Sequence, residues 1–242
     1  MPADKNLLLA YPREAWSSSG SLNYILVFGD SYSAHDATWI GHLTRSNLLE
    51  TVPDVQIHAF DGASVEEDLD SQIARFHATA KTFAADQTTY FFFLGINDCG
   101  QTDTDDLDSI VELLLDAVHN LYVKDGARNF VFFDVPPTDR SPGAIAIESE
   151  ETMINRTTAW NDSLRRRVGE FAEETPRASV FLFSTHAVLS SILDDPSLHG
   201  FTSDDIAREG GAIWEDELHP TTEVHAIIAD KLAHALVGDG LE

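Results

Sequence analysis

The chain has 242 residues, 43% of them hydrophobic and 23% charged, the usage of a globular protein rather than a disordered or fibrous one. Its 41 acidic residues against 15 Lys and Arg give a net charge of −26, which repels nucleic acid and anionic membrane surfaces. A single cysteine, Cys99, excludes an internal disulfide framework and a cysteine-rich zinc site.

No apolar run approaches the roughly 20 residues that span a bilayer. Near the start, Leu7–Ala10 is too short for a signal-peptide core, so the expectation is a soluble chain, intracellular or already processed. Without internal repeats or a dividing linker, residues 1–242 read as a single domain.

Short apolar runs alternate with longer amphipathic ones. Tyr24–Phe28 ends at Gly29-Asp30, and the segment Thr38–Leu49 that follows reads as a helix. Val55–Phe60 ends at Asp61-Gly62 and precedes a helix over Val65–Ala78. Tyr90–Leu94 ends at Gly95 and precedes a helix over Leu107–Lys124. There Ile110, Leu113, Leu114, Ala117, Val118 and Leu121 recur with helical spacing, and Asp106 and Asp108 suit the positive N-terminal end. Phe130–Val135 ends at Pro136-Pro137 before a helix over Glu151–Glu174; Val180–Phe183 ends at Ser184, and a last helix covers Thr222–Leu236. Unbroken apolar runs suit strands covered on both faces. The pattern predicts a flavodoxin-like three-layer α/β/α sandwich on a mostly parallel five-stranded sheet with right-handed crossovers. In such sheets ligands sit beyond the carboxyl ends of the strands.

Those ends carry four fragments. Gly29-Asp30-Ser31 puts a serine on a strand-to-helix turn, although Asp-Ser is also a common capping pair. Gly62 lets a backbone N–H approach a ligand closely, or serves a plain turn. Asn97, in Gly95-Ile96-Asn97-Asp98, carries two amide donors that suit a developing oxyanion, or an Asx-turn. Asp216 and His219 share one loop, where the carboxylate can orient one imidazole nitrogen while the other faces a serine. His219 is one of ten histidines, but it alone has this setting before Pro220-Thr221 and a helix start.

In this order the blocks Gly29-Asp30-Ser31, Gly62, Gly95-x-Asn97-Asp98 and Asp216-x-x-His219-Pro220 resemble the SGNH (GDSL-type) hydrolases over nearly the whole length. The Trp16 region leading into Tyr24–Ser33, Thr38–Thr44, Val135–Pro142, Leu193–Pro196 with Gly200-Phe201, and Trp214–His225 are similar to the fungal acetylesterase branch, carbohydrate esterase family sixteen. The resemblance implies Ser31 as nucleophile, His219 as base and Asp216 as its orienting carboxylate. It also implies an oxyanion hole of the Ser31 and Gly62 N–H groups with the Asn97 side chain, no metal and no cofactor. Asp30 and Asp98 would be structural, tying the turns after the first and third strands together. The implied activity is hydrolysis of short-chain acyl esters, acetyl foremost, on a small-molecule or oligosaccharide ester, acetylated sugars included. The competing readings are a lysophospholipase or thioesterase with the same triad, and a non-catalytic binding module.

Other features read as structural. Cys99 has no basic neighbour in sequence to lower its pKa. The Asp103–Asp108 cluster lacks the Gly and distal Glu of a calcium loop and reads as a helix start. Arg165–Arg167 reads as an exposed helix face. His35 and Asp36 read equally as pocket lining or as a solvated loop. Asn155 and Asn161 head glycosylation triplets, and His225 and His234 receive no role.

Overall fold

The structure is a computed structural model that describes residues 7–18, 20–79 and 81–238. Strands β1 (Leu8–Tyr11), β2 (Tyr24–Gly29), β3 (Asp54–Ile57), β4 (Thr88–Phe93), β5 (Asn129–Phe133) and β6 (Ser179–Phe183) form one sheet in the order β1-β6-β5-β4-β2-β3. Every neighbouring pair is parallel except β1 with β6. The five expected runs are β2 to β6, and β1 is a sixth strand that corrects the five-strand expectation. It is an edge strand, four residues long and only half-buried, that exists by pairing Leu8–Tyr11 antiparallel with Val180–Phe183. So short a run has no readable period of its own.

Aromatic contacts show why the central runs are apolar throughout. On one face, Trp39 packs on Phe91 and Phe133, with ring centroids 5.3 and 4.7 Å away. On the other, Phe76 meets Phe28 and Tyr90, and Phe171 meets Phe130. Successive residues of β4 and β5 therefore serve opposite faces, and both faces are covered. Trp39 belongs to α1 (Trp39–Thr44), which packs against α8 (Thr222–Val237), itself in contact with α7 (Thr185–Asp194). Phe76 and Phe171 belong to α2 (Val65–Ala78) and α6 (Glu150–Glu174), which pack against α4 (Leu107–Asn120). Two short helices, α3 (Ile96–Gln101) and α5 (Pro142–Ala146), lie in the connections after β4 and β5.

Local chemistry sets several boundaries. The Ser64 side chain accepts from the Glu67 N–H, and Glu66, Glu67 and Asp68 occupy the first turn of α2, so this helix has the predicted limits. α1 ends five residues short of the predicted Leu49, since Arg45 and Ser46 close the last turn onto His42 and Leu43. In α4 the buried face is Leu107, Ile110, Val111, Leu114, Leu115 and Val118, whereas Leu113 is 50% exposed, contrary to the predicted stripe. That stripe is shifted because α4 packs between α2 and α6, whose contacts set the face it buries. Asp108 does sit in the first turn of α4, where it also pairs with Arg166 and Arg167 of α6.

Candidate active site

The carboxyl ends of β2, β3 and β4 share one rim. Gly29 faces Phe93 in the β2–β4 register, which brings residues 30–31 beside residues 94–97. The buried Gln72 side chain clamps Gly29: the Gly29 N–H donates to Gln72 Oε1 at 2.9 Å, and Gln72 Nε2 donates to the Gly29 carbonyl at 2.8 Å. Beyond it the chain turns tightly. Asp30 Oδ1 accepts from the Tyr32 N–H at 2.9 Å, and the Asp30 carbonyl accepts from the Ser33 N–H at 3.0 Å. Ser31 stands at the apex, half-buried, and among the described residues its N–H has no acceptor.

The second wall is the loop before α8. Trp214 and Pro220 form an antiparallel bridge, the Glu215 N–H donates to the His219 carbonyl at 2.8 Å, and the buried Trp214 indole N–H donates to the Ile206 carbonyl. Asp216 Oδ1 accepts from the N–H groups of Leu218 (2.8 Å) and His219 (2.7 Å), while Oδ2 lies 2.8 Å from His219 Nδ1. Partial burial pushes the Asp216 pKa up, but these hydrogen bonds outweigh it and hold the carboxyl below its usual range. An ionised Asp216 accepts only, so the imidazole proton rests on Nδ1 and the Nε2 lone pair is directed outward. His219 Nε2 lies 2.8 Å from Ser31 Oγ. A hydroxyl, imidazole and carboxylate linked in this way can activate the oxygen for attack on a carbonyl.

The third wall comes from the turns after β3 and β4. Gly62 has φ +78°, the left-handed region that favours glycine, and among the described residues its N–H has no acceptor. Asn97 Nδ2 donates one hydrogen to the Ala63 carbonyl at 2.9 Å, leaving the second for a ligand. Gly95 has φ +118°, and a Cβ there would lie 2.3 Å from the Trp160 ring. Asp98 accepts from the Val65 N–H at 3.0 Å and so ties the β4 turn to the start of α2. Burial pushes its pKa up to about 6 against the pull of those amide bonds. The expectation that Asp30 and Asp98 bridge the first and third turns is thus corrected. Each binds amide hydrogens elsewhere, and the bridge between those turns is the Asp30 N–H to Phe93 carbonyl bond.

Ser31, Gly62, Asn97, Asp216 and His219 all line one cavity of about 450 Å³. His35 lines it too, paired with the Asp61 carboxylate at 3.1 Å, and both side chains are exposed. Sequence reasoning passed over Asp61, Thr222 and His225 as lining residues. Thr222 and His225 stand one helical turn apart at the start of α8, and the Pro220-Thr221 helix start was the available signal.

The remaining features lie elsewhere. Cys99 is fully buried, and burial pushes its thiol well above its usual range, so it is unreactive. The Asn161 amide is bound to the Val135 backbone at 2.8 and 2.9 Å, which occupies the nitrogen a glycan would need. Arg166 and Arg167 pair with Asp108, Glu112 and Glu170. Among the described residues no group of His, Cys, Asp or Glu is arranged to hold a metal ion, and no helix is long and apolar enough to cross a membrane.

A sequence model of the GDSL-like lipase/acylhydrolase family matches residues 25–232, and the chain belongs to that family. It is 23% identical over 237 residues to an acetylesterase of Thermothelomyces thermophilus, an alignment covering 92% of this chain and 77% of the relative. Its fold is similar to that of an acetyl xylan esterase from Geobacillus stearothermophilus (TM-score 0.57, 16% identity, 92% of this chain and 97% of the other). A carbohydrate acetylesterase from Sinorhizobium meliloti is likewise similar (TM-score 0.55, 12% identity, 88% and 97%). The protein is a carboxylic ester hydrolase of three-layer α/β/α architecture.

Proposed function

We propose that the protein hydrolyses short-chain acyl esters, acetyl esters foremost, through an acyl-serine intermediate, and that acetylated sugars are among its substrates. The observation that carries this reading is the unbroken chain from Asp216 through His219 to Ser31, 2.8 Å at each step, beside unengaged amide donors in the same cavity. Ser31 Oγ attacks the ester carbonyl while His219 Nε2 takes its proton. The charge on the carbonyl oxygen is met by the Ser31 and Gly62 N–H groups and by the free Asn97 hydrogen. His219 then returns the proton to the leaving alcohol, and water repeats the sequence to release the acid.

What supports the short-acyl reading is a lining in which Ala37, Leu218 and Pro220 are the apolar side chains, none of them forming a long apolar groove. The sugar preference is drawn from the names of the similar esterases. The test is p-nitrophenyl acetate turnover beside Ser31→Ala, then a chain-length series from acetate to palmitate. Ser31→Ala is expected to lose roughly 10⁴-fold or more in kcat. Equal rates for the two proteins refute the nucleophile, and rates rising toward palmitate refute the short-chain preference in favour of a lipid-directed enzyme.

A further inference from the structure

His225 is 95% buried, since only 5% of its surface is exposed, yet it forms part of the lining of the cavity that holds Ser31 and His219. Its ring centroid is 5.7 Å from that of Tyr32, which also meets His219 at 5.9 Å, so the two imidazoles share one aromatic neighbour. Nδ1 of His225 is sealed from solvent without a partner, and Nε2 is not. A sealed lone pair is better tolerated than a sealed N–H, so the proton of the neutral ring belongs on Nε2, the nitrogen that is not sealed on a side chain lining the cavity. Burial, with His42 and His219 nearby, pushes the His225 pKa down to about 3, which keeps the ring neutral near pH 7.

Catalytic geometry identifies what this edge meets. The carbonyl oxygen turns toward Gly62, on the turn leading into α2, and Asn97, in the first turn of α3. The leaving oxygen must come to His219 Nε2 to receive its proton. The remainder of the alcohol then lies along the α8 side of the cavity, where Thr222 and His225 stand. Thr222 is already engaged: its hydroxyl donates to the Ala37 carbonyl at 2.9 Å and accepts from His42 Nε2 at 2.9 Å. On the near side, Thr38 donates to the His35 carbonyl, and His35 is paired with Asp61. Among these side chains, His225 is the one with an unengaged N–H.

We propose that His225 Nε2–H is a specificity determinant for the leaving group, donating to an oxygen close to the ester on a hydroxylated alcohol of the sugar class. The inference rests on the acyl-serine reading and adds the contact that selects the alcohol.

The test compares two acetates of similar size: methyl 3-O-acetyl-β-xylopyranoside, with hydroxyls beside the ester, and cyclohexyl acetate, with none. Wild type is expected to favour the xyloside at least ~10-fold in kcat/KM, since binding the analogue without hydroxyls leaves a polar group of the site unpaired. His225→Phe keeps a ring against Tyr32 and is expected to abolish that preference. His225→Gln, which restores an N–H, is expected to recover part of it. No preference in wild type, or a preference unchanged in a folded His225→Phe, overturns the proposal. Should His225→Phe fail to fold, wild type and His225→Gln decide, and a Gln variant that discriminates no better than chance overturns it. If wild type cleaves neither ester nor p-nitrophenyl acetate, the underlying esterase reading fails as well. If it cleaves all three indifferently, only the His225 assignment fails.

Discussion

The Tyr32 hydroxyl donates to the Leu218 carbonyl at 2.7 Å, so the residue after Ser31 holds the residue before His219 across 186 positions of sequence. Tyr32 is fully buried, and burial with Asp30 and Asp216 nearby keeps its hydroxyl protonated far above its usual range. Together with the Gly143 N–H to Glu217 carbonyl bond of 2.8 Å, it fixes the height of the imidazole over Ser31 Oγ.

Tyr32→Phe removes that donor and leaves a part-buried carbonyl without its partner, a loss of about 1 kcal/mol in stability. Because Tyr32 positions His219 rather than touching substrate, kcat on p-nitrophenyl acetate is expected to fall roughly 10-fold with KM nearly unchanged. The acid limb of the pH–rate profile should move with it. A variant that melts earlier but keeps its kcat and pH profile would show that the contact is only structural.

Asp216→Asn replaces the acceptor at His219 Nδ1 by an amide that can present a donor there. The imidazole proton is then driven to Nε2, where it faces Ser31 Oγ and cannot accept the hydroxyl proton. A loss of about 10²–10⁴-fold in kcat is expected, the upper end being what the same change does in a serine protease. Steady-state kinetics beside a melting curve checks it: the loss should come without a matching fall in stability.

Gly95→Ala is expected to be among the most damaging single-methyl changes. The added Cβ would lie 2.3 Å from Trp160, a fully buried side chain, at a φ of +118°. Overpacking and backbone strain together should remove about 2–5 kcal/mol, measured by urea unfolding. Asn97 lies two residues on, so esterase activity of any folded fraction should fall too.

Stability should depend on pH with two opposed slopes. Asp30 is buried, and that burial pushes its pKa up to about 8. Between about 4 and 8 the folded carboxyl keeps a proton that the unfolded chain releases, so this group's contribution is lost as pH rises and flattens above about 8. Burial has the opposite consequence for His225, whose folded pKa of about 3 makes stability fall as pH drops below about 6.5. In urea titrations at several pH values, Asp30→Asn is expected to gain on wild type steadily from pH 5 to pH 8. A pH-independent difference would show that Asp30 is ionised in the folded protein.

What could be read from the sequence was whatever depends on neighbours in the chain. α2 has the limits expected because Ser64 and the acidic first turn are local signals, and the Asp216–His219 spacing lies within one loop. Features made by distant pairing were not legible. β1 exists through β6, and the exposure of Leu113 follows from how α4 sits between its neighbours. His225 belongs to the cavity because α8 packs on α1, and Tyr32 matters through Leu218. The Tyr32 relation leaves no mark in spacing, and for His225 the local signal was the Pro220-Thr221 helix start.

The most direct measurement of the central claim is acyl-enzyme trapping: acid-quench the protein during p-nitrophenyl acetate turnover and locate the modification by peptide mass spectrometry. The account expects one acetyl group on the peptide carrying Ser31, accumulating with the p-nitrophenol burst and absent from Ser31→Ala. Turnover without any adduct on that peptide, or an acetyl group mapped to another side chain, would contradict it.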